Sequence, residues 1–237
     1  MAIKLTYFGT FVAVMFALTF GLGALFFGAL FFILPWFKGL SNWALLCSWG
    51  IKAFASIILL YVYTSIYPLR KEADVFKYYD DGTVLSEIAA EQPAAFTRIM
   101  LGTWNAHDLV YLNRFNYWFR SYEHGISNDN RVVIRVNALL NLVTRGSYGL
   151  NLLVFLALSW LGSYWLFQLV LGLSSSKINS HLCAFLVPST IFWSSGIFKE
   201  ALLIFAIGGF LYSIFRLNQR VRWDLFLWSS TSLRVLK

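Results

Sequence analysis

Three carboxylates fall within the segment Ala73-Asp74-Val75-Phe76-Lys77-Tyr78-Tyr79-Asp80-Asp81-Gly82, directly after a long apolar run that ends near Tyr67. An acid at such a position can take the proton of a hydroxyl presented at a lipid surface. Two neighbouring carboxylates can instead hold a divalent metal against a phosphate. Asp80 and Asp81 are therefore the candidate catalytic pair, with Asp74 a candidate ligand contact. Successive side chains do not share a helix face, so one member of the pair is expected to point into any one site. Asp81-Gly82 also fits a solvated turn, and both readings stand at this point.

A second cluster lies at Trp193-Ser194-Ser195-Gly196-Ile197-Phe198-Lys199-Glu200. Two ionisable residues opening an apolar helix sit at an interface or serve a function, because charge within a bilayer is costly. Lys199 can meet a phosphate as a point charge, with Glu200 holding it in place. Glu200 equally suits the first turn of a helix, where the dipole favours an anion. Ser194, Ser195 and Gly196 could form a cap or an anion-binding turn.

Arg114, Arg120, Arg131 and Arg135 alternate with Tyr111, Tyr117, Trp118 and Tyr122. Such a stripe can grip a phosphate and stack on a sugar ring, or form an interfacial aromatic belt. His107-Asp108 and His124 fall in the same stretch. There is no HExxH, no CxxC and no spaced His/Cys cluster, so no metal ligands are assigned. No Walker A loop, GxGxxG fingerprint or GxSxG elbow occurs, which leaves nucleotide-driven transport, dinucleotide chemistry and α/β-hydrolase action without support.

The elements that must position these residues are membrane helices. The 237 residues are 59% hydrophobic and 13% charged, whereas a soluble domain is about 45–50% apolar and about 25% charged. Apolar runs extend over residues 5–37, 43–67, 148–173 and 181–217. The first three each exceed the ~20 residues that cross the hydrocarbon, and the fourth holds a hairpin broken at Pro188 and Gly196. The fold class expected is all-α, a polytopic bundle with about five membrane helices. Four parts follow: helices one and two (1–67), a loop with the acidic motif and interfacial amphipathic helices (68–147), helix three and the hairpin (148–217), and a basic end segment (218–237). If each run crosses once, the 68–147 loop and the 188–200 hairpin tip share a side.

The net charge of +8 reflects 19 Lys and Arg against 11 Asp and Glu. The basic residues cluster at helix ends, where they meet lipid headgroups, so a membrane lipid is the expected partner and nucleic acid is not. Cys47 and Cys183 lie within apolar runs and are expected to be packing residues. The first run is too long for a signal-peptide core and should stay in the mature protein.

Together the acidic segment and the Pro188-Ser189-Thr190-Ile191-Phe192-Trp193-Ser194-Ser195-Gly196-Ile197-Phe198-Lys199-Glu200 hairpin resemble membrane glycosyltransferases of the GT-C class, over about residues 44–215. Members place an acidic motif in the first large external loop. Here that loop follows the second run, and the chain is short for the class, so it reads as a truncated member. The resemblance implies a polyprenyl-phosphate-linked sugar donor and an envelope glycan, lipid or protein acceptor. It implies a bacterial inner-membrane location with a periplasmic loop. Asp80 or Asp81 would be the base, and Lys199, with Arg114 and Arg120, would hold the phosphate. Asp74, Glu200 and Trp193 would complete the substrate contacts. No cofactor is required, although a divalent metal fits the acids. Two other readings stay open: a polysaccharide polymerase or ligase relying on loop arginines, and a non-enzymatic subunit or transporter component with a membrane-protein partner.

Overall fold

The computed structural model describes residues 37, 39–66, 73–119 and 130–235, with side chains through residue 219. The first apolar run up to Trp36, together with Arg120, Tyr122 and His124, lies outside the described residues. Every regular element described is helical. In order these are α1 (Asn42–Tyr61, followed by a π turn, Val62–Ile66), α2 (Asp74–Glu91), α3 (Pro93–Leu101), a 3₁₀ turn (Ala106–Asp108) and α4 (Leu109–Leu112). Then come α5 (Asn130–Thr144), α6 (Tyr148–Ser174), α7 (Lys177–Phe185), α8 (Pro188–Trp193) and α9 (Lys199–Val235).

Three helices among the described residues are long and apolar enough to cross a membrane: Asn42–Ile66, Tyr148–Ser174 and Lys199–Gln219. By length and composition they are candidate membrane spans. The first two begin at serine caps. Ser41 caps α1 by accepting from Ala44 N, and Ser147 caps α6 by accepting from Leu150 N. Past Leu217, where a basic connection was expected, the helix continues to Val235.

α1 and α6 run antiparallel, since Gly39 meets Leu171 and Phe167 at one end while Lys52 reaches Ser159 further along. α6 and α9 run parallel. Gly162 lies against Ile204 and Phe205, Trp165 against Gly209, and Gly172 against Phe215. At the closest approach Gly162 and Gly208 touch backbone to backbone, and a Cβ on either would enter the other helix. Small residues of this kind let membrane helices pack by dispersion alone.

Two parallel neighbours require a return path, which residues 175–198 supply. α7 climbs back along α6, with His181 edge-on to Phe167 and Phe185 tilted against Phe167 and Trp160. The chain then breaks before Pro188, forms the six-residue α8, and turns through 194–198 into α9. The break expected at Pro188 is present, because proline lacks an N–H and disfavours helix in the residue before it, and it leaves two short helices, α7 and α8, on the way to α9. Nine residues of α7 span only about 13 Å, so the count of about five crossing helices is not met among the described residues.

The end of α1 and the starts of α6 and α9 lie at one end of the bundle, and α2–α5 cover that end. Gly82 explains the α2–α5 contact. A Cβ there would come 2.5 Å from Asn137 Cβ, so only glycine lets α5 seat. Asp80-Asp81-Gly82 is therefore mid-helix, and the turn reading fails because tertiary packing overrides the local Asp-Gly signal. A buried amide ladder fastens this cap to the bundle: Asn151 donates to Asn137 (3.1 Å) and Asn141 (2.7 Å), and Asn141 donates to Thr83 (3.2 Å). Cys47 and Cys183 are exposed on the protein surface, not packed within it as expected. They sit on the outward faces of α1 and α7.

Candidate functional site

A cleft of about 520 Å³ opens where the cap meets the bundle. The first turn of α2 contributes Asp74, Lys77 and Tyr78. The 116–119 loop contributes Asn116, Tyr117 and Phe119, and Asn130 closes the wall from the start of α5. Opposite them stand Trp193 at the end of α8 and Phe198, Lys199 and Glu200 at the start of α9. The acidic segment and the hairpin tip, more than a hundred residues apart in sequence, thus face one space.

The charges are placed by helix starts. Asp74 opens α2, where the dipole favours an anion, and accepts from Lys77 Nζ at 2.7 Å. Lys77 also lies 5.7 Å from the centre of the Tyr117 ring, an attraction of cation to ring face. Glu200 lies in the first turn of α9 and has no hydrogen bond or ion pair with another described residue. Trp193 is 46% exposed and meets Phe192 and Phe198 edge to face. Aromatic faces beside amides and carboxylates can stack on a sugar ring while bonding its hydroxyls, and the lysines supply charge for a phosphate.

Asp81 is not in the cleft wall. It is fully buried and accepts the backbone N–H groups of Asn116 (3.0 Å) and Tyr117 (2.8 Å). Burial raises its carboxyl to about 6, against the opposing pull of those amide donors and with a smaller upward push from Asp80. Asp81 therefore anchors the loop that carries Asn116, Tyr117 and Phe119 to the cleft. Asp80, about 100° further round α2, is half-buried and also outside the wall. The two acids do not present their oxygens to one point, as the helix geometry predicts. Among the described residues no three His, Cys, Asp or Glu side chains gather as metal ligands.

The arginines buttress the same loop from behind. Arg131 donates to Trp118 O at 3.2 Å and lies over the Trp118 and Phe119 rings at 5.5 and 5.6 Å. Arg135 lies over Trp118 at 5.3 Å and donates to Ile99 O at 3.1 Å. Burial, helped by Arg131, lowers the Arg135 guanidinium below its ordinary value. Arg114 bonds Glu91 (2.7 Å) and Glu87 (3.1 Å) on the far half of α2. It takes no part in the cleft wall, and those pairs raise its guanidinium further. Asp108 grips Arg98 with both oxygens, at 2.8 and 2.5 Å. That bond holds the Asp108 carboxyl down at about 2. The His107-Asp108 pair thus closes a turn.

Of the expected contacts, Asp74, Trp193, Lys199 and Glu200 meet in the cleft; Asp80, Asp81 and Arg114 lie outside its wall. Lys77, Tyr78, Asn116, Phe119 and Asn130 were not anticipated. Lys77 was legible, since it lies three residues after Asp74 on one helix face. Lys52 was missed as well. It is an ionisable residue midway along α1, 3% exposed, in a run where charge costs roughly 2.5–3.5 kcal/mol or more. No family model, curated protein or solved structure compared with the chain matches it.

Proposed function

We propose that the cleft binds the sugar-phosphate headgroup of a membrane lipid and that the protein is a glycosyltransferase using a polyprenyl-phosphate-linked donor. The observation that carries this reading is the lining itself: two lysines, two carboxylates, two amides and a set of aromatic rings at one end of an apolar bundle. Lys199 and Lys77 meet the phosphate, and Trp193 and Tyr117 flank the sugar. Glu200, the cleft acid without a partner among the described residues, takes the proton of the acceptor hydroxyl. The acceptor oxygen then bonds the anomeric carbon, the bond from that carbon to the phosphate oxygen breaks, and the departing pair stays on the phosphate beside the lysines. Asp81 acts on this chemistry only through the loop it holds. The acceptor is a glycan, lipid or protein of a bacterial envelope, and the cleft faces the periplasm.

The polymerase or ligase reading, which leans on loop arginines, has less support. Arg98, Arg114, Arg131 and Arg135 each bond or stack within the cap. To test the proposal, the protein is reconstituted in phospholipid vesicles with radiolabelled polyprenyl-phosphate hexose. Retention of the donor by the wild type, and its loss in Lys77→Ala with Lys199→Ala, is the expected result. Equal retention by both would overturn the reading and favour a non-enzymatic membrane subunit.

A further inference from the structure

Lys52 lies in the middle of α1, ten residues past its start, and donates to Ser159 Oγ on α6 (3.1 Å) and to Ser194 Oγ (2.6 Å). Both hydroxyls give their own hydrogens to helix carbonyls, Ser159 to Leu156 O and Ser194 to Thr190 O, so each turns a lone pair toward the amine. No ion pair joins it to a carboxylate among the described residues. Residues 1–71 and 148–199 contain no Asp or Glu. Nearby, Ser48 and Ser163 bond carbonyls of their own helices and Ser195 bonds Ile191 O, while Ser48 also accepts from Trp160 Nε1 between α1 and α6 at 2.9 Å. Lys52 joins α1, α6 and the segment just past α8.

Its partner Ser194 is the first residue past α8, at the break where the return path stops being helical. Non-helical backbone at membrane depth persists only where protein holds it. One face of α1 holds this break at three heights: Lys52 bonds Ser194, Leu59 lies against Gly196, and the Tyr63 ring meets Phe198 at 5.9 Å. Leu59 supplies an apolar contact and Tyr63 a ring contact. The residues flanking the break, Trp193 before it and Phe198, Lys199 and Glu200 after it, form the hairpin side of the cleft.

We propose that Lys52 is a positioning residue for the cleft: by holding Ser194 against α6 it fixes the turn from which Trp193, Lys199 and Glu200 reach the ligand. The inference rests on the cleft's geometry and holds whichever headgroup the cleft takes.

The test uses full-length protein in detergent micelles with Cys47→Ala and Cys183→Ala. A reporter thiol is placed by Ser195→Cys at the buried turn and, separately, by Ser180→Cys on α7. Lys52→Met, which keeps bulk and removes the donor, is expected to raise the maleimide labelling rate at position 195 about tenfold while position 180 stays unchanged. Lys52→Gln, which restores two donors on a shorter stem, is expected to recover part of that protection. Unchanged labelling at 195 would overturn the inference. So would an equal rise at both positions, because that marks a bundle loosened as a whole. If Lys52→Met does not fold, Ser194→Ala removes the acceptor, together with the hydroxyl's own bond to Thr190 O, and must show the same local rise. No ligand enters this measurement, so its outcome is independent of the vesicle experiment.

Discussion

In the middle of α2, Asp81 is shut away from solvent and holds two amides of the 116–117 loop. About two turns earlier on the same helix, Asp74 stands half exposed at the cleft with Lys77 beside it. Across the cleft Glu200 opens α9 with no partner among the described residues. Equal side chains thus divide the work. The buried acid builds the wall, and the acids at helix starts face what the wall encloses. An adjacent Asp-Asp pair is a conspicuous feature of a sequence, yet a carboxylate whose oxygens are occupied by backbone donors has little capacity left for a substrate.

This division can be broken most sharply at Glu200. Glu200→Gln is expected to lower the transfer rate by about 10²–10⁴-fold, the usual loss for a general base, with the melting temperature unchanged. Rates of sugar transfer in vesicles, with thermal unfolding alongside, check both halves. A normal rate would return the role of base to Asp80, Asp81 or Asp74.

Asp81 should respond in the opposite way, through stability and pH. Its carboxyl is raised from 3.8 to about 6, so the folded state binds the proton more tightly than the unfolded chain does. That contribution to stability is fully present below pH 3.8 and is lost as pH rises through 6, a change on the order of 3 kcal/mol from this group. Asp81→Asn should flatten this part of the stability–pH curve. It should also loosen the 116–119 loop, because an amide offers one acceptor oxygen to two N–H donors and sets its own N–H₂ against one of them. Unfolding midpoints of both proteins between pH 4 and 8 decide the matter. Parallel curves would show that Asp81 does not titrate in this range.

The smallest effect is expected at Arg114. Its pairs with Glu87 and Glu91 are exposed, and such surface pairs contribute about 0–1 kcal/mol. Arg114→Ala should leave donor retention within twofold or so of wild type. A large loss of retention would place the ligand outside the cleft and revive the arginine-dependent reading.

Much of the architecture was legible because it is written in local sums. Hydropathy over a window located α1, α6 and the first half or so of α9 within a few residues of the observed spans. The Lys199-Glu200 pair marked the start of α9, and Pro188 the break before it. Counting crossings put the acidic loop and the hairpin tip on one side, and the cleft between Asp74 and Glu200 agrees. The hairpin's first limb was counted as a crossing because an apolar run does not show that the helix before Pro188 is only nine residues long. Lys52 was overlooked for a related reason. One charge in a long apolar run barely changes a window average, although its isolation was itself the signal.

What the sequence by itself determined, then, is the solvent this protein lives in, the helices that span it, and which charged segments share an end. The tertiary structure decided which acid meets the cleft, why Asp81-Gly82 is helix instead of turn, and what Lys52 holds. The physical reason is range. Apolar length and helix starts depend on neighbours within a few residues. Asp81 is defined by amides 35 and 36 positions away, and Lys52 by hydroxyls 107 and 142 positions away. Gly82 is defined by the α5 backbone that only glycine allows so near.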